Sequence, residues 1–533
     1  MKSVGSLQGI RDVFLETESP KTLLMLNGVM AVIYFVALAF FFTPGNNILF
    51  ALLVVGEIFH LWQALTFLYT VWDTDYLPPR RMRLAPVIDV FITVAGEPIE
   101  IVEQTILGVQ AMMYPHFKVY ILNDGYVARK ENWREMEDLA DRLGVCCITR
   151  RTPGGAKAGN INHALSVTHS PLVAIFDADH VPHPDFLAKT VPYFVNARVA
   201  FVQTPQFYKN FDSNYLTAGS WGQQEIFFGP ICKGKNRLNS ATLCGTNMVI
   251  SRAALRAVGG MCTESIAEDF VTGLFMHARG YTSVYVPEVL AEGLATEDML
   301  SYSTQQFRWA RGAFDVIFRY NPLFMRGLTW AQRIQYLSSA SYYLAGIVVM
   351  IDALLPIVFF YTGAVAVQMH SMLLAAIFLT YIFLTLYTIE RVSNATFTFQ
   401  ALGFSMGSFG IHTSALLAAV TRRKNSFLVT SKRALKGNFL PLVKWHVLYG
   451  VAALIGIIIA FDREGISASL INNAAWAFLN VAIFIPFMRA ALPVRSVVRT
   501  MEGVRGDEVK RSADVSVPRS EDLIQATLIH TQS

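Results

Sequence analysis

Apolar positions follow two patterns along this chain. Toward both ends they form long unbroken runs, and in the middle they form short runs separated by polar turns. A bilayer core is crossed by about 20 mostly apolar residues. Runs of that kind cover residues 22–42 and 48–72, joined by the uncharged loop Thr43-Pro44-Gly45-Asn46, and more follow at 337–367, 371–389, 397–420, 448–461 and 470–487.

Basic residues decide which of these runs cross. Pro79-Arg80-Arg81-Met82-Arg83 follows the second run, so the positive-inside rule places the middle segment and the N-terminus in the cytoplasm. The 397–420 run is rich in Gly and Ser and ends at Arg422, Arg423, Lys424, Lys432, Arg433 and Lys436, which also belong inside. With 337–367 and 371–389 crossing as a hairpin, one more crossing would carry that basic cluster outside. The 397–420 run therefore reads as an interfacial or re-entrant helix. The last two runs, divided by Asp462-Arg463-Glu464-Gly465, form a final hairpin that returns Arg489, Arg495 and Arg499 to the cytoplasm. Six spans are expected, two before the middle segment and four after. The first run follows Glu16 and Glu18 and exceeds a signal-peptide core in length, so it reads as a span. The polar tail, residues 491–533, is expected to be cytoplasmic and partly disordered, with no room for a barrel-sized domain.

In the middle, strand-like runs at 87–94, 118–122, 145–150, 172–176, 200–203 and 283–286 alternate with helical patterns. Alternation of this kind predicts βαβ units with a mainly parallel sheet, whose ligands sit at the carboxyl ends of the strands.

Composition agrees with this division. Of 533 residues, 53% are hydrophobic and 16% charged, against roughly 25% charged in soluble domains. A purely soluble protein is excluded, and so is a wholly embedded one, because the charges crowd into residues 77–333. The net charge of +5 and the lack of a long basic tract give no reason to expect nucleic acid as a partner. Cys146, Cys147, Cys232, Cys244 and Cys262 show neither CxxC pairs nor zinc-cluster spacing, and read as free thiols in a reducing cytosol.

Candidate chemistry lies just after the strands. Glu97-Pro98 follows the first, Asn123-Asp124-Gly125 the second, and Asp177-Ala178-Asp179-His180 the fourth. Two carboxylates one residue apart at a strand end suit a hard divalent cation, Mg²⁺ or Mn²⁺. An acidic turn explains most DxD sequences, but the apolar strand before this one favours the metal. Between the third and fourth strands, Gly154-Gly155-Ala156-Lys157-Ala158-Gly159-Asn160-Ile161-Asn162-His163 opens a helix, with glycines for close backbone approach and a lysine for phosphate. Ala267-Glu268-Asp269 opens another helix. The pair is either a cap and dipole partner or the source of a general base. Gln305-Gln306-Phe307-Arg308-Trp309 either belongs to an amphipathic helix lying along the membrane, with a stripe of Phe307, Trp309, Ala310 and Phe314, or presents Trp309 to a sugar ring.

Taken in order, these motifs resemble those of processive family-2 glycosyltransferases, most closely the catalytic subunit of bacterial cellulose synthase. The last fits the family's QxxRW pattern at Gln305, Arg308 and Trp309, and Phe427-Leu428-Val429-Thr430-Ser431-Lys432 resembles its FxVTxK gating loop. The resemblance runs from about Pro86 to Lys432. It implies an α/β GT-A domain, residues 77–320, inserted between transmembrane helices at 22–76 and 321–490, with a gating loop at about 421–438. It also implies a UDP-sugar donor, UDP-glucose favoured, a growing polysaccharide acceptor, and Mg²⁺ or Mn²⁺ as cofactor. Membrane lipids surround the spans, and an accessory export subunit stays open as a partner. Glu97 and Asp124 would hold the uridine end with Lys157 near it, and Asp177 and Asp179 would bind the diphosphate metal. Asp269 would be the base, Gln305 and Arg308 would hold the donor, and Trp309, Cys244, Gly245 and Thr246 would face the acceptor. Phe427, Val429, Thr430 and Lys432 would gate. The chain departs from the family's DDG at Asn123, from TED at Ala267, and at Gly155, where cellulose synthases often show His.

Glu57, His60 and Asp352 lie within or near spans, where an ionisable group is costly. A polysaccharide path, with Phe67, Tyr342 and Tyr343 as sugar platforms, explains them, and so does an interface position or a buried ion pair.

Overall fold

The computed structural model describes residues 14–15, 18–78, 85–368, 371–393, 398–422, 437 and 439–492. Its middle segment is built on a seven-stranded sheet of β1 (Ile88–Val94), β2 (Phe117–Asn123), β3 (Cys146–Thr149), β4 (Leu172–Asp177), β5 (Val199–Gln203), β6 (Met248–Ser251) and β7 (Thr282–Tyr285), ordered β7-β5-β6-β4-β1-β2-β3. Neighbours run parallel except around β6, which is antiparallel to both β4 and β5. β1 and β4 are buried along nearly their whole length, which is why they appear as unbroken apolar runs. The six expected strands are all present. β6 was not anticipated, because Met248-Val249-Ile250-Ser251 is a four-residue run that passes directly into the helix Arg252–Val258. A smaller three-stranded sheet joins Val181–Pro182, Ala291–Gly293 and Phe207–Tyr208.

Four helices position the site: α1 (Ala156–Val167), α2 (Tyr215–Ile226), α3 (Glu268–Ala278) and α4 (Met299–Asp315). Two core clusters sandwich the sheet. One is centred on Val90, Ile92 and Phe176 under the helix Ile99–Gln110, and the other on Phe91, Ile175 and Phe201 under α1.

Among the described residues, six helices are long and apolar enough to cross a membrane: Lys21–Phe41, Asn47–Thr70, Trp330–Thr362, Phe399–Val420, Leu440–Glu464 and Ala468–Ala490. Phe399–Val420 qualifies by length and composition, where the charge argument made it interfacial, and the expected fourth span is a continuous helix, Ser371–Val392. Phe399–Val420 is itself two helices, α5 (Phe399–Gly407) and α6 (Phe409–Val420), meeting at Ser408, whose hydroxyl donates to the Phe404 carbonyl at 2.8 Å. α5 lies so close to α2 that a Cβ on Gly222 would stand 2.9 Å from that of Ala401. α6 packs Ala415 and Ala419 against Ala310 and Phe314 of α4. Both halves are thus held by helices of the middle domain.

The helix Trp330–Ser341, which runs into Ala345–Thr362 through a short turn, is bonded to its surroundings four times on one side. Gln332 donates to the Asn239 carbonyl (2.8 Å), Gln335 to Thr70 Oγ1 (2.8 Å), Tyr336 contacts His277 Nδ1 (2.7 Å), and Ser339 receives the Lys235 ammonium.

Candidate active site

The chain passes from β1 outward to β2 and β3, then returns to place β4 on the other side of β1. At such a switch point the loops part and leave a crevice at the strand ends. Thr93 and Asp177 sit opposite each other in the register, and the Thr93 hydroxyl donates to Asp177 Oδ1 at 3.2 Å. A cleft opens there, with about 1700 Å³ of empty space including its mouth. Glu97, Asp124, Lys157, Asp177, Asp179, Cys244, Gly245, Asp269, Gln305, Arg308 and Trp309 all line it. Thr246 lies beneath: 1% exposed, it accepts the Asp177 backbone N–H at 2.8 Å and so holds the DxD turn from below.

On the β2 side, Arg150 grips Asp124 through two bonds of 2.7 Å and reaches on to the carbonyls of Gly154 and Ala156. The glycines around the start of α1 make this possible. Gly155 adopts φ +68°, and a Cβ on Gly159 would meet the Gly154 carbonyl oxygen at 2.1 Å and Arg150 Nη1 at 2.6 Å. Arg150 was read only as the last residue of a strand, though the rule that ligands follow strand ends could have identified it. Asn123, the departure from DDG, is fully buried and turned from the cleft. It donates to the Trp133 carbonyl at 2.7 Å and accepts the Gly125 N–H at 2.9 Å. Glu97 Oε2 takes the Ala95 N–H at 2.6 Å.

In the centre, the Lys157 ammonium pairs with Asp177 and donates to the Gly245 carbonyl at 2.8 Å. Burial works against its charge, but Asp177, Glu268 and Asp269 together raise its pKa. A cation already stands against Asp177, so the site's field suits positive charge. Among the described residues no three acidic, His or Cys side chains form a metal cage. The two carboxylates are a set that Mg²⁺ or Mn²⁺ completes with substrate phosphate oxygens and water, so the residues present fit such an ion. Asp179 accepts the Leu294 N–H at 3.2 Å, and His180, 4% exposed and with neither ring nitrogen hydrogen-bonded, places Nδ1 3.5 Å from Asp179 Oδ1.

On the far wall, Gln203 braces the turn after Thr242. It accepts the Cys244 N–H and donates to the Thr246 carbonyl, both at 2.8 Å, while Gln206 donates to the Cys244 carbonyl at 2.7 Å. Gly245 takes φ +81°, and a Cβ there would lie 2.8 Å from Asp269 Oδ2. The missing side chain lets the Asp269 carboxylate, Lys157 and the DxD turn converge. Asp269 also accepts the Phe270 N–H at 2.7 Å, so it serves the helix start while facing the cleft. Burial raises the pKa of both Asp269 and Glu268, and the neighbouring Asp269 charge raises Glu268 further. Glu268 lines the cleft too, beside Asp269.

Gln305, Arg308 and Trp309 share one face of α4. The proposed apolar stripe is real for Phe307, Ala310 and Phe314, but it packs against α6, and Trp309 leaves it for the cleft. Burial pushes the Arg308 pKa down against the pull of Glu268, Asp177 and Asp269. Close packing of Gly312 on Ala267, whose Cβ atoms would be 2.6 Å apart, brings α4 beside the acidic pair. The gating-loop residues Phe427, Val429, Thr430 and Lys432 lie outside the described residues.

Two families match the chain in succession: Glycosyltransferase like family 2 over residues 85–312 and Cellulose synthase over residues 256–487. Cellulose synthase 2 of Novacetimonas hansenii is 31% identical over 407 residues, 74% of this chain and 25% of that protein. The UDP-forming cellulose synthase catalytic subunit of Pseudomonas fluorescens is 34% identical over 316 residues, 58% and 42% of the two chains. That of Komagataeibacter sucrofermentans is 28% identical over 469 residues, 82% and 61%. The chain therefore spans between a quarter and three fifths of the length of these relatives. A solved mannosyltransferase from Pyrobaculum calidifontis, in complex with GDP-Man and Mn²⁺, aligns with 70% of this chain and 100% of its own at 16% identity and a TM-score of 0.48.

Proposed function

We propose that this chain is a cellulose-synthase-type family-2 glycosyltransferase that polymerises a β-glucan from UDP-glucose and exports it through its own membrane helices. The observation that carries this reading is the convergence at Gly245 of a metal-type DxD, a charged lysine and a buried carboxylate, with a tryptophan on the facing helix.

Each residue then has a task. Asp124, fixed by Arg150, and Glu97 receive the nucleoside end of the donor. Asp177 and Asp179 would hold Mg²⁺ or Mn²⁺, which when bound supplies charge to the departing diphosphate. Lys157 and Arg308 add fixed positive charge beside the same leaving group, preorganised in the cleft before the charge develops. Asp269 takes the proton from the acceptor hydroxyl as its oxygen attacks the anomeric carbon opposite the diphosphate, which inverts the configuration. Its pKa, raised by burial, brings the carboxylate nearer the strength a base needs at neutral pH. Trp309 stacks on the acceptor sugar and aligns that hydroxyl.

The catalytic domain faces the cytoplasm of a cell whose inner membrane holds the spans, and α5 and α6, held by α2 and α4, lie at the inner surface. Their close packing on domain helices along both halves supports this over a crossing. Membranes bearing the protein, given a panel of UDP-sugars with Mg²⁺ and followed by linkage analysis, test the proposal. A 1,4-linked glucan from UDP-glucose is expected. A 1,3-linked or mixed-linkage product would revise the linkage, and transfer to a lipid acceptor without polymer would overturn processive synthesis.

A further inference from the structure

Lys235, in the short helix Cys232–Arg237, is buried without an acidic partner. It is 2% exposed, and its Nζ donates to Thr242 Oγ1 at 3.0 Å and to Ser339 Oγ. The Phe227 ring centroid lies 6.0 Å from the same nitrogen. The ionisable groups that face it are the thiols of Cys232 and Cys244 and the imidazole of His277, and among the described residues no carboxylate pairs with it. Burial pushes its pKa down, against the pull of the two thiols. Lysines are almost never fully buried without a counter-charge, because stripping water from an ammonium destabilises the fold. A methionine of similar length would carry no such cost, so the reason for a lysine lies in what it holds.

It holds one segment at two points. The Lys235 carbonyl accepts the Leu238 N–H at 3.1 Å and both the N–H and the hydroxyl of Ser240, at 3.0 and 3.1 Å, while its ammonium takes Thr242. Two residues further on, Cys244 and Gly245 form the wall of the cleft opposite the nucleoside end. The helix that carries Lys235 is seated on the membrane helices. Gly234 abuts the end of Asn47–Thr70 so closely that a Cβ has no room beside the Thr70 carbonyl, and Arg237 donates to the Tyr69 carbonyl at 2.9 Å. Ser339 belongs to Trp330–Ser341, the rod that runs into the next membrane helix. One short helix therefore joins the cleft wall to two membrane helices, and the Lys235 ammonium is its contact with both the wall and the rod.

We propose that Lys235 is a positioning residue for sugar transfer: it registers the turn at residues 242–246 against the membrane helices, so that an acceptor hydroxyl rather than water meets the anomeric carbon. This rests on the transferase reading above. Asp124 and Glu97 lie on the other side of the cleft, so loosening the turn leaves donor binding intact and opens the reaction to hydrolysis. A water oxygen then forms the bond to the anomeric carbon, its proton passes to Asp269, and the bond to the diphosphate oxygen breaks. The products are free sugar, UDP and a proton.

The test uses the full-length protein in proteoliposomes with UDP-glucose and Mg²⁺, and measures polymer, free glucose, released UDP, UDP affinity and melting temperature together. In Lys235→Met, polymer formed per UDP released is expected to fall at least tenfold, with free glucose making up the difference. UDP affinity should stay within twofold of wild type, and melting should be no lower, because the unpaired buried charge is gone. Lys235→Gln, which still donates to Thr242, is expected to recover part of the loss. A lysine that merely supports the fold would give the opposite signature, a lower melting temperature with wild-type polymer per UDP, and that result would overturn the proposal. Should Lys235→Met bind no UDP, misfolding is indicated, and Thr242→Val, which removes the same bond from its other end, takes its place with an expected fall of at least fivefold. Wild-type polymer per UDP in Thr242→Val would likewise overturn the positioning role. A wild-type protein that transfers no sugar from UDP-glucose would instead remove the transferase reading, and this role with it.

Discussion

Arg150 and Asp124 form a two-pronged ion pair with both bonds at 2.7 Å, buried at the ends of adjacent strands. Because Arg150 also bonds the Gly154 and Ala156 carbonyls, the pair ties the β2 turn to the start of α1. Arg150→Ala would strand a buried carboxylate, at a cost of about 3–5 kcal/mol. Thermal unfolding and UDP titration should both register the loss, and Arg150→Lys should recover little, since an ammonium cannot make the planar two-bond contact. Unchanged melting and UDP affinity in Arg150→Ala would refute this role.

Lys157 compensates Asp177 and reaches Gly245 in the same step. With Lys157→Met, three carboxylates lose their nearest ammonium and the diphosphate loses a positive neighbour. Turnover should fall about 10²–10³-fold, the range seen when one preorganised charge or donor is removed. Steady-state UDP release is the measurement, and a decrease of less than threefold would show that Lys157 is structural.

Burial raises the Asp269 pKa, which determines the sign of the acid limb. A base works only when ionised, so kcat/KM should fall as pH drops through a midpoint above the ordinary aspartate value of about 3.9. Asp269→Asn should abolish elongation while UDP binding persists. Full turnover in that variant, or a midpoint at the ordinary value, would take the base role from Asp269.

His277 is held between Tyr336 and Ser283 at 2.7 and 2.8 Å, and burial together with the Lys235 charge pushes its pKa down to about 3. A depressed folded-state pKa gives stability that is complete above the unfolded value of about 6.5 and is lost as pH falls from there toward 3. His277→Gln should therefore melt lower than wild type at pH 8 and lose less of its melting temperature between pH 7 and pH 5. Parallel slopes across that interval would contradict the assignment.

The strands were legible because a sheet covered on both faces leaves continuous apolar runs, and the residues that end them, Asp124 and Asp177, are where the crevice opens. β6 was not, since three apolar residues and a serine before a helix have no period that separates strand from helix. Thr246 illustrates a second limit. Its neighbours Cys244 and Gly245 line the cleft, and sequence adjacency cannot reveal that Thr246 turns inward to hold Asp177. The Trp309 question, stripe or platform, needed the partner helix: once α6 covers Ala310 and Phe314, the tryptophan is left to the cleft.

The four bonds along Trp330–Ser341 bear on how a chain could be driven outward. Gln332, Gln335, Tyr336 and Ser339 fasten one rod to the catalytic domain and to the second span, and the same rod leads on into the third. A swivelling domain would have to shear three of them, at Gln332, Tyr336 and Ser339, at each cycle. If the chain exports a glucan as proposed, this joint is no pivot, and the stroke that advances the polymer by one sugar comes from smaller parts: a loop, a rotating side chain, or the polymer relaxing on its own new end.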